Sequence, residues 1–139
     1  MKILIDTNVA IDILLFRKPW YTHSALVFSL TKQKFIQSFI SATTITDIFF
    51  LTKKDLGKKR AKEEIKKLLQ VFQPAAVSAN DIYQALDMEW SDFEDSVQFI
   101  VGESISADYI ISRNTQDFAS GSIPSLTPEQ FIQVITDIE

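Results

Sequence analysis

The chain has 139 residues, of which 46% are hydrophobic, and a formal net charge of −4 at neutral pH. This length fits one compact domain, residues 1–139, with enough apolar side chains for a core that needs no covalent staples. Cysteine is absent, which excludes disulfides and cysteine-based zinc or redox sites and fits a reducing compartment. No signal-like segment precedes Asp6, and no apolar run approaches the roughly 20 residues of a membrane span. We therefore expect a cytoplasmic protein with no membrane partner.

Short apolar runs alternate with amphipathic segments in the first half of the chain. Periodicity, capping residues and breakers predict a strand at 3–5, helices at 9–16 and 21–31, a strand at 36–40, a helix capped by Thr43 or Thr44 that breaks at Gly57, and a long amphipathic helix at 58–72.

The second half continues the alternation. The pattern predicts a short strand or connection at 74–77, a helix from Ser78 through Leu86, a helix at 93–104 capped by Ser91 or Asp92, a buried strand at 109–112, a loop at 113–118, and a last helix that begins at Thr127 and Pro128. Strands that alternate with helices predict a parallel sheet covered on both faces, a three-layer α/β/α fold.

Four acidic residues fall at the ends of these predicted elements. Asp6 follows the first strand, Asp47 lies early in the helix after the second, Asp95 begins a helix, and Asp117 lies in the loop after residue 111. The carboxyl ends of parallel strands meet at one edge of a sheet, where open α/β folds bind ligands. Four carboxylates there are suited to a divalent cation, and without one their repulsion should raise the pKa of at least one of them.

Each acid also has an ordinary structural explanation. Asp6 can cap the first helix, Asp95 can interact with a helix dipole, and Asp117 can form a turn. Asp47 is harder to explain in this way, because it lies among Ile45, Ile48 and Phe49, and an acid beside an apolar face needs a partner or a metal.

Four segments carry a resemblance to a known family. They are residues 3–9 (ILIDTNV), 41–47 (SATTITD), 92–98 (DFEDSVQ) and 107–118 (ADYIISRNTQDF). In order and spacing they resemble the PIN-domain nucleases, a family that includes the toxins of VapBC-type toxin–antitoxin pairs.

The resemblance implies a Mg²⁺- or Mn²⁺-dependent endoribonuclease on a five-stranded parallel sheet. It makes Asp6, Asp47, Asp95 and Asp117 the catalytic, metal-site acids and gives Ser112 and Asn114 a place in the lining of the site, where they bind substrate. The second acid is often glutamate in the family, and Asp47 is one methylene shorter. Asp92 and Glu94 crowd Asp95, so the sequence leaves open which of the three faces the metal. The implied partners are an RNA substrate and a cognate antitoxin protein.

Other functions fit the residues less well. A haloacid-dehalogenase-like phosphatase needs an Asp two residues after Asp6, where Asn8 stands, and a receiver domain needs a lysine near Ser112, where Arg113 stands. A non-catalytic RNA- or protein-binding module of the same fold stays open as an alternative. Trp20 and Trp90 lie beside predicted turns, where they can join a homodimer or partner surface.

Basic residues are concentrated in one segment, since eight of the 14 lie between Lys53 and Lys67. One interpretation is a solvated helix surface, because Glu63 and Glu64 are interspersed. The other is a positive lobe that steers a polyanion toward the acids.

Overall fold

A computed structural model describes residues 1–138 of the chain. Its five strands form one parallel sheet in the order β3-β2-β1-β4-β5. They are β1 (Lys2–Ile5), β2 (Gln37–Ser41), β3 (Gln73–Ala75), β4 (Tyr109–Ile111) and β5 (Ser125–Leu126). The predicted parallel sheet of about five strands is confirmed.

The helices connect these strands in chain order. They are α1 (Thr7–Leu14), α2 (Tyr21–Leu30), α3 (Ala42–Leu56), α4 (Lys58–Leu68), α5 (Ala79–Asp87), α6 (Phe93–Ser104) and α7 (Pro128–Ile138), with a 3-10 helix at Thr115–Phe118. Gly57 separates α3 from α4 with a positive φ of 79°, a conformation that glycine adopts at little cost.

The side chains of β1 point alternately into two apolar cores, one on each face of the sheet. Ile3 and Ile5 face a core shared with α1, α2, α3, α4 and α7, whereas Leu4 faces a core built with α5 and α6. Successive side chains of a strand point to opposite faces, so this single strand holds both layers of helices. The predicted three-layer α/β/α arrangement is confirmed.

Several predicted boundaries were wrong by a few residues. The helix α3 begins at Ala42 after Ser41, so neither Thr43 nor Thr44 is its N-cap, and Ser41 Oγ instead lies 2.9 Å from Thr43 Oγ1. The helix α1 covers Thr7–Leu14 rather than 9–16, and Phe16 just beyond it has a φ of 52°, a left-handed conformation that cannot continue a helix.

Two elements of the second half differ from the prediction. The strand β5 has two residues, too few for a recognisable period, and the predicted loop at 113–118 contains the 3-10 helix. The capping predictions at Ser78 and Thr127 are confirmed, since Ser78 and Thr127 each exchange hydrogen bonds with the residue three positions later. No helix within residues 1–138 has the length and apolarity needed to cross a bilayer.

Candidate metal and phosphodiester site

The register of β1 and β4 places Asp6 beside Ser112. Ile5 pairs with Ile111, and the Asp6 N–H donates to the Ile111 carbonyl at 2.9 Å. The next residue of each strand therefore meets its counterpart, and Ser112 Oγ donates to Asp6 Oδ2 at 2.7 Å. The chain runs from β1 to β2 and β3 on one side of β1 and then crosses to β4 and β5 on the other, so these side chains lie at the switch point where open α/β sheets bind ligands.

The carboxylate of Asp6 is held by four donors. Oδ1 accepts from the Thr7 N–H at 2.7 Å and from Gln98 Nε2 at 2.8 Å, and Oδ2 accepts from Ser112 Oγ and from Asn8 Nδ2 at 3.1 Å. Asp6 is also the N-cap of α1 and is 5% exposed. Capping and a place in a polar site, which the sequence presented as alternatives, thus coincide in one side chain.

The first turn of α6 separates the roles of its three acids. Asp92 is the N-cap, and its Oδ1 accepts from the Asp95 N–H at 3.0 Å. Glu94 Oε1 accepts from Thr7 Oγ1 at 3.1 Å, which brings the Glu94 carboxylate next to Asp6. The Asp95 carboxylate accepts no hydrogen bond from residues 1–138. Asp95 is consequently the acid of this turn with both carboxylate oxygens available, whereas Asp92 and Glu94 each use one.

Burial and mutual repulsion raise the pKa of three of these carboxyls. Burial is the larger cause for Asp6, to which the charge of Asp117 adds. Burial and the charges of Asp92, Asp6 and Asp117 raise the pKa of Asp95 to about 7. The pKa of Glu94 is raised by burial and by Asp47, Asp6 and Asp92. The site therefore carries more negative charge than its surroundings compensate.

The remaining predicted residues lie at the margins of this cluster. Asp47 is half-buried, and its charge raises the pKa of Glu94. Asp117 is exposed on the 3-10 helix. Asn114 is exposed as well, and its backbone N–H, rather than its side chain, donates to Ser112 Oγ at 3.0 Å. Ser112 itself is fully buried.

A cleft of about 510 Å³ opens beside the cluster. Its lining includes Trp90, Asp92, Asp95 and Asp117, and Trp90 in turn packs on Phe99 with ring centroids 5.0 Å apart. The cleft brings Asp95 and Asp117 to one solvent-accessible wall. Asp6 and Asp47 are not part of this lining.

Sequence reasoning missed the residues that orient Asp6. Gln98 is 1% exposed and lies in a buried run of α6 with Val97, Phe99 and Ile100. A lone amide inside an apolar run, three residues after an acid, was a signal that a buried polar group needed a partner. Asn8 gave no comparable signal, because a residue of this type at a helix start is ordinary.

The arrangement fits a hydrated hard cation better than a closed metal cage. Within residues 1–138 no three acidic or histidine side chains form a ready cluster for one ion. Mg²⁺ keeps several of its waters and binds through one or two carboxylates. Asp95 supplies open oxygens, and the buried Gln98 Oε1 has no partner among the described residues, so it can accept from a water. The shared excess of negative charge is what a divalent ion would neutralise.

Comparison with known families agrees with this fold. The family model described as PIN domain matches residues 2–116. The chain belongs to the PIN-domain family. The matched region contains Asp6, Asp47, Asp95, Ser112 and Asn114, and Asp117 lies one residue beyond it. Comparison of this PIN domain with the sequences of curated proteins gives no significant match.

Solved structures resemble this PIN domain over most of its length. VapBC2 from Rickettsia felis, bound to a promoter DNA fragment, has a TM-score of 0.70 at 12% identity and covers 91% of this chain and 98% of its own. VapC20 of Mycobacterium tuberculosis, described as a toxin that cleaves the sarcin–ricin loop, scores 0.68 at 16% identity over 86% and 95%. A toxin–antitoxin complex from Klebsiella pneumoniae scores 0.67 at 23% identity over 90% and 96%. At these identities the likeness establishes the fold.

Proposed function

We propose that this protein is a divalent-metal-dependent endoribonuclease and the toxin of a toxin–antitoxin pair. The observation that carries the proposal is the meeting of Asp6, Glu94 and Asp95 at the carboxyl edge of a parallel sheet, where burial and repulsion raise the pKa of all three. Carboxyl groups with a raised pKa, at a sheet edge where ligands bind, are typical of a functional site. Membership of the PIN-domain family supports the same activity.

Asp6 and Asp95 are the residues that would hold Mg²⁺ or Mn²⁺. When bound, either ion would supply neutralising charge for a phosphodiester and acidify a nucleophilic water. Asp95 contributes oxygens without hydrogen-bond partners within residues 1–138. Asp6 would exchange one of its four donors for the ion, and the bond from Asn8 Nδ2 is the longest of them at 3.1 Å.

The residues around Asp6 fix its orientation. Ser112 donates to Asp6 and accepts from the Asn114 N–H, so its hydroxyl joins the site to the loop after β4. Gln98 ties Asp6 to the same helix that carries Asp95. Partners of this kind keep ligating carboxylates in one orientation. We assign Ser112 and Gln98 as positioning residues and Asn114, which is exposed, as a substrate-binding residue.

We assign Asp47 and Asp117 as the remaining acids of the site. Asp117 lines the 510 Å³ cleft with Asp95, where it can orient water near a bound phosphate. The negative charge of Asp47 raises the pKa of Glu94, and Asp47 thereby acts on the site. We assign Asp47 to binding a second ion or an ordered water at the edge of the site.

We also propose that the protein binds an antitoxin, that it forms a homodimer and that it lies in the cytoplasm. Complexes with antitoxins among the structural neighbours support a protein partner. Homodimer formation is supported by exposed apolar side chains on α5 and at the start of α6, where Tyr83, Leu86 and Phe93 are 67%, 61% and 47% exposed. The absence of cysteine from the sequence fits the reducing cytoplasm.

The decisive experiment incubates the purified protein with total RNA and with single-stranded oligonucleotides, in Mn²⁺ and in EDTA. We expect cleavage in Mn²⁺ and none in EDTA. Asp95→Asn and Asp6→Asn should each lower the cleavage rate by at least about 100-fold, since even partners of metal ligands are worth 10–100-fold. Asp55→Asn, the same change at an exposed residue near the end of α3, is the matched control.

The alternative is a non-catalytic RNA- or protein-binding module with the same fold. It predicts RNA or protein binding that EDTA leaves unchanged, together with no cleavage under any metal. Wild-type cleavage rates in folded Asp95→Asn protein would contradict the assignment of the site. Circular dichroism of each variant separates lost chemistry from lost fold, a control that matters most for Asp6 because four donors depend on it.

A further inference from the structure

A second cavity lies at the same edge of the sheet and is not used by the acidic site. Its volume is about 390 Å³, within the roughly 300–1,000 Å³ of small-ligand pockets. It is formed where the loop after β4 meets the starts of α2 and α7, and its lining includes Pro19, Trp20, His23, Arg113, Pro128 and Glu129. We refer to it as the Trp20 pocket.

Two contacts fix the guanidinium of Arg113 at this pocket. Its Nε lies 2.8 Å from Oδ2 of Asp12, a residue that is fully buried. Its Cζ lies 3.8 Å from the centroid of the Trp20 ring, a cation–π contact. A buried carboxylate and an aromatic face thus hold a side chain that would otherwise be long and mobile.

This ion pair leaves hydrogen-bonding capacity free. The contact with Asp12 is made through Arg113 Nε, so it does not use the two terminal nitrogens of the guanidinium. The two terminal nitrogens of Arg113 donate no hydrogen bond within residues 1–138, and the side chain is 20% exposed. A planar, preorganised guanidinium with free terminal donors is suited to phosphate.

The pocket is joined directly to the candidate reaction site. The backbone N–H of Arg113 donates to Asn8 Oδ1 at 3.2 Å, and Asn8 Nδ2 donates to Asp6. Arg113 also follows Ser112 in the chain, so their Cα atoms are about 3.8 Å apart. A strand of RNA whose phosphodiester lies at Asp6 therefore reaches the pocket with a neighbouring nucleotide.

The aromatic wall indicates what occupies the cavity. Trp20 is 42% exposed although it packs on Arg113, so part of its ring surface faces solvent. Single-stranded RNA is commonly bound by stacking of splayed bases on aromatic rings, combined with cationic contacts to the backbone. Trp20 and Arg113 supply these two elements side by side.

We propose that the Trp20 pocket binds a nucleotide next to the cleaved bond of single-stranded RNA, with the base on Trp20 and its phosphate on Arg113. This inference rests on the proposed nuclease function. It assigns Trp20 and Arg113 to substrate binding, and it makes the pocket, rather than the acids, a source of preference for particular RNA sequences.

The binding test uses the full chain with Trp90→Phe, which leaves Trp20 as the only tryptophan. Its fluorescence is followed while single-stranded RNA, nucleoside monophosphates or inorganic phosphate is added, in EDTA and again with Ca²⁺ to neutralise the acids. We expect saturable quenching by RNA and by at least one nucleoside monophosphate, and none by phosphate. Arg113→Lys keeps the charge that Asp12 needs but loses the planar fork, and should weaken RNA binding several-fold.

The kinetic test uses Trp20→Leu in the Mn²⁺ cleavage assay. We expect KM for RNA to rise at least about tenfold while kcat changes much less, a division that general loss of structure would not produce. Phe35→Leu is the matched control, because Phe35 is also 42% exposed but precedes β2 at the opposite edge of the sheet.

The outcomes separate the two proposals. A flat Trp20 signal with RNA, in EDTA and in Ca²⁺, from protein that still cleaves RNA in Mn²⁺ overturns the pocket and leaves the nuclease intact. Quenching by RNA, together with no cleavage by the wild-type protein in any metal, supports nucleotide binding in the pocket and contradicts the nuclease. If the fluorescence of Trp20 changes with a protein partner but not with RNA or nucleotides, the cavity recognises protein and the proposal is overturned.

Discussion

The two acids most central to the site differ in how much of their bonding capacity is already used. Asp6 accepts four hydrogen bonds, whereas Asp95 accepts none from residues 1–138. From the sequence alone, Asp6 is the obvious residue to neutralise in order to relieve repulsion. The structure changes that choice, because an Asn side chain at position 6 would present an N–H₂ group to donors. Asp95 is the residue whose neutralisation reports repulsion alone.

Neutralising Asp95 should stabilise the metal-free protein in a pH-dependent way. The pKa of Asp95 rises from 3.8 to about 7 on folding, so between these values the folded state binds more protons than the unfolded state. Stability therefore falls as pH rises through this window. Asp95→Asn should match wild type near pH 4 and exceed it by about 1 kcal/mol at pH 8, a value kept small because the carboxylate is partly solvated.

Chemical denaturation in EDTA at several pH values measures this difference. The matched control is Asp55→Asn, which removes an exposed acid and should shift stability by the same small amount at every pH. A gap between wild type and Asp95→Asn that stays constant from pH 4 to pH 8 would show that repulsion at Asp95 is absent.

At the scale of elements, the basic segment divides into residues with different surroundings. Lys62 and Lys66 line a groove between α3 and α4 together with Thr46, which precedes Asp47. Lys67 pairs with Glu64 at 3.2 Å, whereas Lys58 and Lys59 lie at the start of α4 and are not part of this groove. We therefore expect the two interpretations of the sequence to apply to different residues of this helix.

Replacing Lys62 and Lys66 with Gln should weaken RNA binding and reduce its salt dependence. Each contact to a phosphate of single-stranded nucleic acid contributes about 0.7 to the slope of log K against log salt, so the double variant should lose up to about 1.4. Lys58→Gln with Lys59→Gln removes the same charge and is the control. The slopes are measured by fluorescence anisotropy at 50–200 mM salt. Equal slopes for the two double variants would show that the whole segment is a solvated surface.

Element types were predictable where a local signal was strong. The capping boxes at Ser78 and Thr127, the break at Gly57 and the buried run of β1 follow from short-range chemistry. The strand β5 has two residues and no readable period, and its place in the sheet depends on pairing with β4. The start of α3 was misplaced because the threonines that resembled caps have other contacts, among them Thr44 with Thr7.

At the scale of the whole molecule, the site follows from topology more than from any one segment. The sequence placed Asp6, Asp95 and Asp117 at strand or helix ends, and a parallel sheet brings such ends to one edge. It could not show that Gln98 reaches Asp6 across 92 positions, because that contact depends on how α6 packs on the sheet. It also could not separate Asp92 from Asp95, a distinction made by the geometry of the cap.

A metal that binds the folded protein should stabilise the molecule as a whole, and the response should depend on Asp95. At a hundredfold excess over its dissociation constant, a ligand specific to the native state adds about 2.7 kcal/mol, or roughly 10 °C in melting temperature for a chain of this size. Wild type and Asp55→Asn should both show this gain in Mn²⁺ relative to EDTA. Asp95→Asn should have a higher melting temperature than wild type in EDTA, since repulsion is relieved. Its gain in melting temperature from Mn²⁺ should be less than half that of wild type. If Asp95→Asn gains as much from Mn²⁺ as wild type does, then the ion is held elsewhere and the acids at this edge of the sheet do not form a metal site.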